Sequence, residues 1–300
     1  MQPTSSRNGI LFTVLSATIW GTSFIFVKIT VDELDYFISL FVRMFFAFLS
    51  SLILFLIINA KNFRANLFYF RKGNVYLLTF LNIGGYFFQF WGAALTESAK
   101  MALLVNSTSI LVPIIAYFLI KENLNYKKIL GLCLGFSGLV FLTTGGDFQT
   151  LFQGEFIGDL LCFAGGVFWA LYIVLSRKVL IKKDEGYQPL NLSLITTMFC
   201  FLFLFPLIPL YSTSFLLYPS ITTDLWLDLI YLGLFANTIA YTLYYIGLKS
   251  ISASKSAFIL LLEVVIASLI GILLRGEIFN TFHIFGAILI IAAIIIINLY

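Results

Sequence analysis

Stretches of about 20 apolar residues follow one another along this chain, joined by short polar segments. Twenty residues is roughly what a helix needs to cross a 30 Å hydrocarbon core. In that core every backbone N–H and C=O must be satisfied internally, so only helices and closed barrels span it. Windows of that length give ten candidate spans: residues 9–29, 37–59, 74–95, 101–120, 127–144, 157–176, 190–210, 225–248, 254–274 and 280–300. The fifth is short and glycine-rich (GLCLGFSGLVFLTTGG), and only the thin hinge TESAK parts the third from the fourth, so a nine-span reading competes there. Composition agrees with lipid as the main solvent: 61% of residues are hydrophobic and 11% charged, against about 25% charged in soluble domains. The expected fold class is all-α integral membrane.

Charge decides between nine spans and ten. With the N-terminus in the cytoplasm, ten spans put Arg7, the Lys61–Lys72 joint, Lys121, Lys127 and Lys128, the joint from Arg177 to Lys183, and Lys249 with Lys255 all on the cytoplasmic side. Acids such as Asp32, Glu33, Asp35, Asp159 and Asp228 fall on the other side. Lysine and arginine in short loops set orientation, and an odd count scrambles this alternation. The expectation is a multi-pass protein of a bacterial plasma (inner) membrane with both termini cytoplasmic. A net charge of +4, small and dispersed, gives no sign of a nucleic-acid partner. Cys133, Cys162 and Cys200 form no CxxC and read as buried small hydrophobes, and the single His283 leaves no multi-histidine zinc site. No cofactor and no metal are expected, and with no GxxxxGK[ST] there is no P-loop.

The chain also repeats itself. A shift of 155 residues aligns 80–140 with 235–295 without a gap, matching Asn82 with Asn237, Tyr86 with Tyr241, Gly92 with Gly247, Lys100 with Lys255, Glu122 with Glu277 and Gly131 with Gly286. Apolar coincidences are cheap in such a chain; asparagine, lysine, glutamate and glycine coincidences in one frame are not. The first span matches the sixth at a shift of 149, with Trp20 on Trp169 and Lys28 on Arg177. The expected domains are residues 1–145 and 146–300, each a five-helix unit. An odd number of spans per unit sends the second copy in from the opposite face, giving two inverted five-helix repeats, an arrangement used by transporters with a site at the repeat interface near the midplane.

Several ordered motifs carry a family resemblance: Trp20-Gly21-Thr22-Ser23 followed by Lys28; Arg43-Met44-Phe45-Phe46; Gly247-Leu248-Lys249-Ser250 running through Ser252-Ala253-Ser254-Lys255 to Leu262-Glu263; and Gly276-Glu277. In these the chain resembles the drug/metabolite transporter superfamily, specifically its ten-helix EamA type. The resemblance implies movement of small metabolites or amphiphilic compounds, commonly outward, by alternating access without ATP. Two departures stand out. The family often has Glu-Pro in the ninth span, where this chain has Glu263-Val264, and the first-half counterpart of Gly276-Glu277 is Lys121-Glu122.

Polar residues at membrane depth name the candidate site. Trp20 and Trp169, Asn82 and Asn237, and Thr108 and Glu263 form three repeat-related pairs near mid-span, expected to line one central cavity because lipid would penalise them. Each has a plainer alternative: the asparagines as interhelical hydrogen-bond glue, the tryptophans as packing, Glu263 as a structural glutamate. Asn106, Ser107, Thr108 and Ser109 run round the helix, so not all can face one cavity. Arg43 is read as snorkelling outward or meeting acids at the outer mouth. Lys255, about 12 Å along the helix from Glu263, is read as an edge charge. The runs YFFQFW (86–91) and YTLYY (241–245) are assigned to interfacial aromatic belts, and only Tyr86 and Tyr241 are kept as cavity candidates. Pro113 is expected to free a carbonyl near Ser109.

The function read from all this is secondary active transport of small, amino-acid-like, cationic or zwitterionic compounds, as export, with protons as candidate coupling ion and Glu263 as coupling or binding group. Its partners are a small-molecule substrate and the bilayer. The competing readings are an uptake carrier for a nucleotide-like metabolite and, in other classes, an intramembrane enzyme or a non-transporting sensor.

Overall fold

The structure, a computed structural model, describes residues 6–60, 67–96, 98–152, 156–182, 187–207, 222–275 and 280–298. Lys61, Arg64 and Lys183 of the charge pattern, and the Gly276-Glu277 motif, lie outside these residues.

Ten helical spans appear among the described residues. They are α1 (Ser6–Glu33), α2 (Tyr36–Asn59), α3 (Gly73–Leu95), α4 (Ser98–Asn106 and Thr108–Ile120), α5 (Tyr126–Thr144), α6 (Phe156–Ile181), α7 (Pro189–Leu204), α8 (Thr223–Tyr231, Leu232–Ile239 and Ala240–Ser250), α9 (Ala253–Leu260 and Leu262–Arg275) and α10 (Thr281–Asn298). Eight of them are long and apolar enough to cross a bilayer. The exceptions are α10, with a 17-residue apolar core, and α3, whose asparagines, glutamine and glycines dilute its hydropathy. Helix starts follow local chemistry: Asp35 Oδ1 accepts from Phe37 N at 2.8 Å, Asn125 Oδ1 from Lys128 N at 3.0 Å, and Ser252 Oγ from Lys255 N at 3.2 Å, each satisfying an orphan donor of the first turn. Gly145, at φ 57°, ends α5 in the left-handed conformation that glycine adopts without strain.

Packing obeys a two-fold exchange of the halves. α1 packs on α8 and α9, and its repeat counterpart α6 packs on α3 and α4. α2 packs on α8 as α7 packs on α3, while the pairs α2–α7, α4–α9 and α5–α10 straddle the axis. Each first helix therefore inserts into the other half, so the halves interlock. α5 and α10 approach closely because glycines face each other: a Cβ on Gly138 would stand 2.7 Å from the Gly286 carbonyl oxygen, and one on Gly286 would stand 2.6 Å from that of Gly138. Small residues at such crossings let backbones make the van der Waals contact that drives association in lipid. Cys162 and Cys200 are buried, whereas Cys133 is exposed, on the side of α5 turned away from this packing, so the expectation of three buried thiols fails there.

Three spans are irregular. α4 breaks at Ser107 and α9 at Leu261, positions that nearly superpose under the 155-residue shift. Pro113 is not the cause, since it lies a turn and a half beyond the first break and α9 has no proline. In α4 four consecutive polar side chains bond backward instead: Asn106 Nδ2 to Ala102 O (2.9 Å), Ser107 Oγ to Leu104 O (2.6 Å), Thr108 Oγ1 to Val105 O (2.6 Å) and Ser109 Oγ to Asn106 O (2.8 Å). Such bonds compete with the helix ladder and bend it. In α8, Leu232–Ile239 is a π-helical turn, a wide turn frequent at functional sites.

Candidate functional site

Between the halves lies a cavity of about 90 Å³, with room for a small organic group or several waters. α1, α2, α3, α4, α6, α8 and α9 all contribute to its wall. Six of the eight residues named from sequence border it: Trp20, Trp169, Thr108, Tyr86, Tyr241 and Glu263. Asn82 and Asn237 do not. Both are 2% exposed and stand one step behind the wall, closer to the hydrogen-bonding alternative than to a lining role.

Glu263 occupies the second position of the half-helix Leu262–Arg275, directly after the α9 break. The N-terminal end of a helix favours negative charge, and discontinuous helices aim such ends at the sites of transporters. α1 reaches this point through Gly21, where a Cβ would stand 2.8 Å from the Glu263 carbonyl oxygen. Among the described residues the ion pairs are Lys28–Asp32, Lys100–Asp159 and Lys128–Glu122, so neither Glu263 nor Lys255 is in one. Thr108, the counterpart of Glu263, opens its own half-helix and reaches across to α6, its one hydroxyl proton shared between Val105 O at 2.6 Å and Gly166 O at 2.9 Å. Asn106 and Ser109 also border the cavity and Ser107 does not, so the polar run divides as helix geometry requires.

The two tryptophans are held differently. Trp20 Nε1 donates to Ala236 O at 2.7 Å, a carbonyl within the π-turn of α8. The Trp169 ring stands edge-on to Tyr86, centroids 4.8 Å apart at 89°, and rests over Gly85, where a Cβ would meet it at 2.8 Å.

Several lining residues were missed from sequence, Arg43, Gln89, Tyr172 and Tyr244 among them. Arg43 is 2% exposed and borders the cavity, neither snorkelling nor meeting acids. Its Nε donates to Asn237 Oδ1 at 2.7 Å and its Nη2 to the Tyr86 hydroxyl at 3.2 Å. Gln89, Tyr172 and Tyr244 border the cavity too. The belt assignment fails for Phe90, Tyr244 and Tyr245, which are at most 1% exposed. A legible signal existed: Tyr86, Gln89 and Phe90, and their counterparts Tyr241, Tyr244 and Tyr245, are spaced i, i+3, i+4 and so share one helix face. At the edge of the bundle, Glu122 caps α9, accepting from Ala253 N at 2.6 Å and from Ser254 Oγ at 2.6 Å. No group of three or more His, Cys, Asp or Glu side chains suited to a metal occurs among the described residues.

The chain matches the EamA-like transporter family twice, over residues 7–144 and 156–299. It is 27% identical over 290 residues to an uncharacterized transporter of Archaeoglobus fulgidus, covering 95% of each chain. It is 26% identical over 284 residues to the uncharacterized transporter YetK of Bacillus subtilis, covering 93% of this chain and 83% of that one. A crystal structure with 18% sequence identity shares the fold, with a TM-score of 0.77 over 99% of this chain and 98% of the other. With both halves matched and the ten-span architecture in place, the chain belongs to the EamA-like transporter family, and is a multi-pass membrane transporter rather than an enzyme.

Proposed function

We propose that the chain is a secondary active transporter that exports small amino-bearing metabolites, cationic or zwitterionic, by alternating access, coupling their movement to protons through Glu263. The observation that carries this reading is the carboxylate of Glu263 on the wall of the cavity between the two halves, outside every ion pair among the described residues. An acid at membrane depth is costly, and such residues mark substrate paths and proton relays. The interlocked halves and the paired breaks beside Thr108 and Glu263 supply hinges about which the site opens to one side and then the other. Trp20, Trp169, Tyr86 and Tyr241 form aromatic walls for the apolar body of the substrate and the cation–π contacts an ammonium finds. Both termini face the cytoplasm of a bacterial inner membrane, as the basic loops require.

The test is flux across a metabolite panel in proteoliposomes under an imposed pH gradient, with wild type beside Glu263→Gln. Substrate flux that follows the gradient in wild type and falls by about 10²-fold or more in the variant, the scale of losing a buried charged partner, is the expected result. Wild-type rates and unchanged pH dependence in Glu263→Gln would remove Glu263 from the mechanism.

A further inference from the structure

Arg43 is the charged group of the cavity that this reading leaves unused. Its guanidinium is buried with neutral partners: the Asn237 Oδ1, the Tyr86 hydroxyl, and the ring faces of Tyr86 and Phe90 at 4.5 and 5.5 Å. Those contacts orient a cation without neutralising it, and a buried charge is tolerated when paired. A guanidinium has five N–H donors; here Nε and Nη2 are engaged, and the group borders the cavity.

Glu263 borders the same cavity from α9, in the other half. Neither group has a charged counterpart in the other repeat. α7, the repeat counterpart of α2, has no charged residue at all (PLNLSLITTMFCFLFL), and Thr108 stands where Glu263 would be. Each half thus places one ionisable side chain of its own on the shared wall, a guanidinium from α2 and a carboxyl from α9, and the two do not pair with each other.

We propose that Arg43 is the docking group for a substrate carboxylate, so that the cavity selects compounds bearing both a carboxylate and an amine over simple amines. The inference rests on the transport reading above and narrows its substrate class from cations and zwitterions to zwitterions. The free guanidinium donors present the fork that matches a carboxylate, while Glu263 takes the ammonium. A lone amine satisfies Glu263 and leaves Arg43 buried without an anion. A lone carboxylate does the reverse. Only a molecule charged at both ends joins α2 of one half to α9 of the other, which makes occupancy an input to the relative position of the halves.

The experiment measures flux in wild-type proteoliposomes for a panel of L-α-amino acids, each beside its decarboxylated amine (L-leucine with isoamylamine, L-phenylalanine with phenethylamine), then repeats it with Arg43→Gln and Arg43→Lys. In wild type at least one amino acid is expected to move about 30-fold or more faster than its amine, the scale of one charge-assisted pair. Arg43→Gln should bring that ratio toward one, with Arg43→Lys between. The wild-type ratio needs no variant, so misfolding of either substitution leaves the inference testable. Amines moving as fast as their amino acids in wild type would overturn this inference and leave amine transport standing. Movement of neither class would overturn both. A ratio unchanged in a well-folded Arg43→Gln would assign the carboxylate to another group.

Discussion

Asn82 and Asn237 occupy equivalent places in the two halves, are equally buried, and are braced alike. Tyr86 of α3 donates to Asn237 of α8 at 3.3 Å, and Tyr241 of α8 donates to Asn82 of α3 at 3.5 Å. Beyond that reciprocal pair their surroundings diverge. Asn237 lies in the π-turn of α8, accepts from Arg43 Nε at 2.7 Å and donates to Met44 Sδ at 3.4 Å. Asn82 lies in the regular helix α3 and donates to the Tyr172 hydroxyl at 3.1 Å; that hydroxyl accepts from Tyr245 at 2.8 Å, and Tyr245 is linked to Ser176 at 3.1 Å. The symmetric Tyr–Asn braces hold the frame at the midplane. The asymmetric parts, a guanidinium on one side and a chain of phenols on the other, distinguish the two walls. The repeat accounts for the scaffold, and single positions at which the halves differ account for the guanidinium.

The sharpest way to break this comparison is to remove each amide. Asn237→Leu takes the acceptor from a buried guanidinium and is expected to cost about 3 kcal/mol, because an unsatisfied charged donor loses more than a neutral one. Asn82→Leu loses bonds to neutral phenols and is expected to cost about 1 kcal/mol, near the usual value for interhelical hydrogen bonds in membranes. Unfolding of the purified proteins in detergent measures both, and equal losses would show that Arg43 does not depend on Asn237. A double-mutant cycle sharpens the point. Arg43→Met with Asn237→Leu should cost less than the sum of the single changes by more than about 1 kcal/mol, whereas Tyr172→Phe with Asn82→Leu should couple by about 0.6 kcal/mol. The tryptophan pair gives a further comparison. Trp20→Phe leaves the Ala236 carbonyl without its donor and should cost about 1 kcal/mol beyond Trp169→Phe, whose ring packs edge-on to Tyr86; equal effects would mean that the π-turn needs no indole.

Much of this architecture was legible because lipid simplifies the code. The ten spans and their pairing into repeats follow from hydropathy and self-similarity. Six of eight named site residues reached the cavity wall because polar groups at membrane depth have few places to go. The failures share one cause. Arg43 near a span end reads as a snorkelling charge, and Tyr244 and Tyr245 near another read as a belt, since sequence gives depth along a helix and only weakly gives the face. The two asparagines were placed at the right depth and one layer too far inward.

Hydropathy and the internal repeat by themselves determined that this chain crosses the membrane ten times as two inverted units, because backbone groups in hydrocarbon have so few ways to be satisfied. They also singled out Glu263, since a carboxylate in mid-span demands a wet or polar neighbourhood. Only the tertiary structure decided what surrounds it. The interlocking of α1 and α6, the breaks at Ser107 and Leu261 and the π-turn around Asn237 rotate particular faces inward. That rotation arises from packing between helices far apart in the chain. It brings Arg43 to the cavity that Glu263 shares, a meeting that no local pattern encodes.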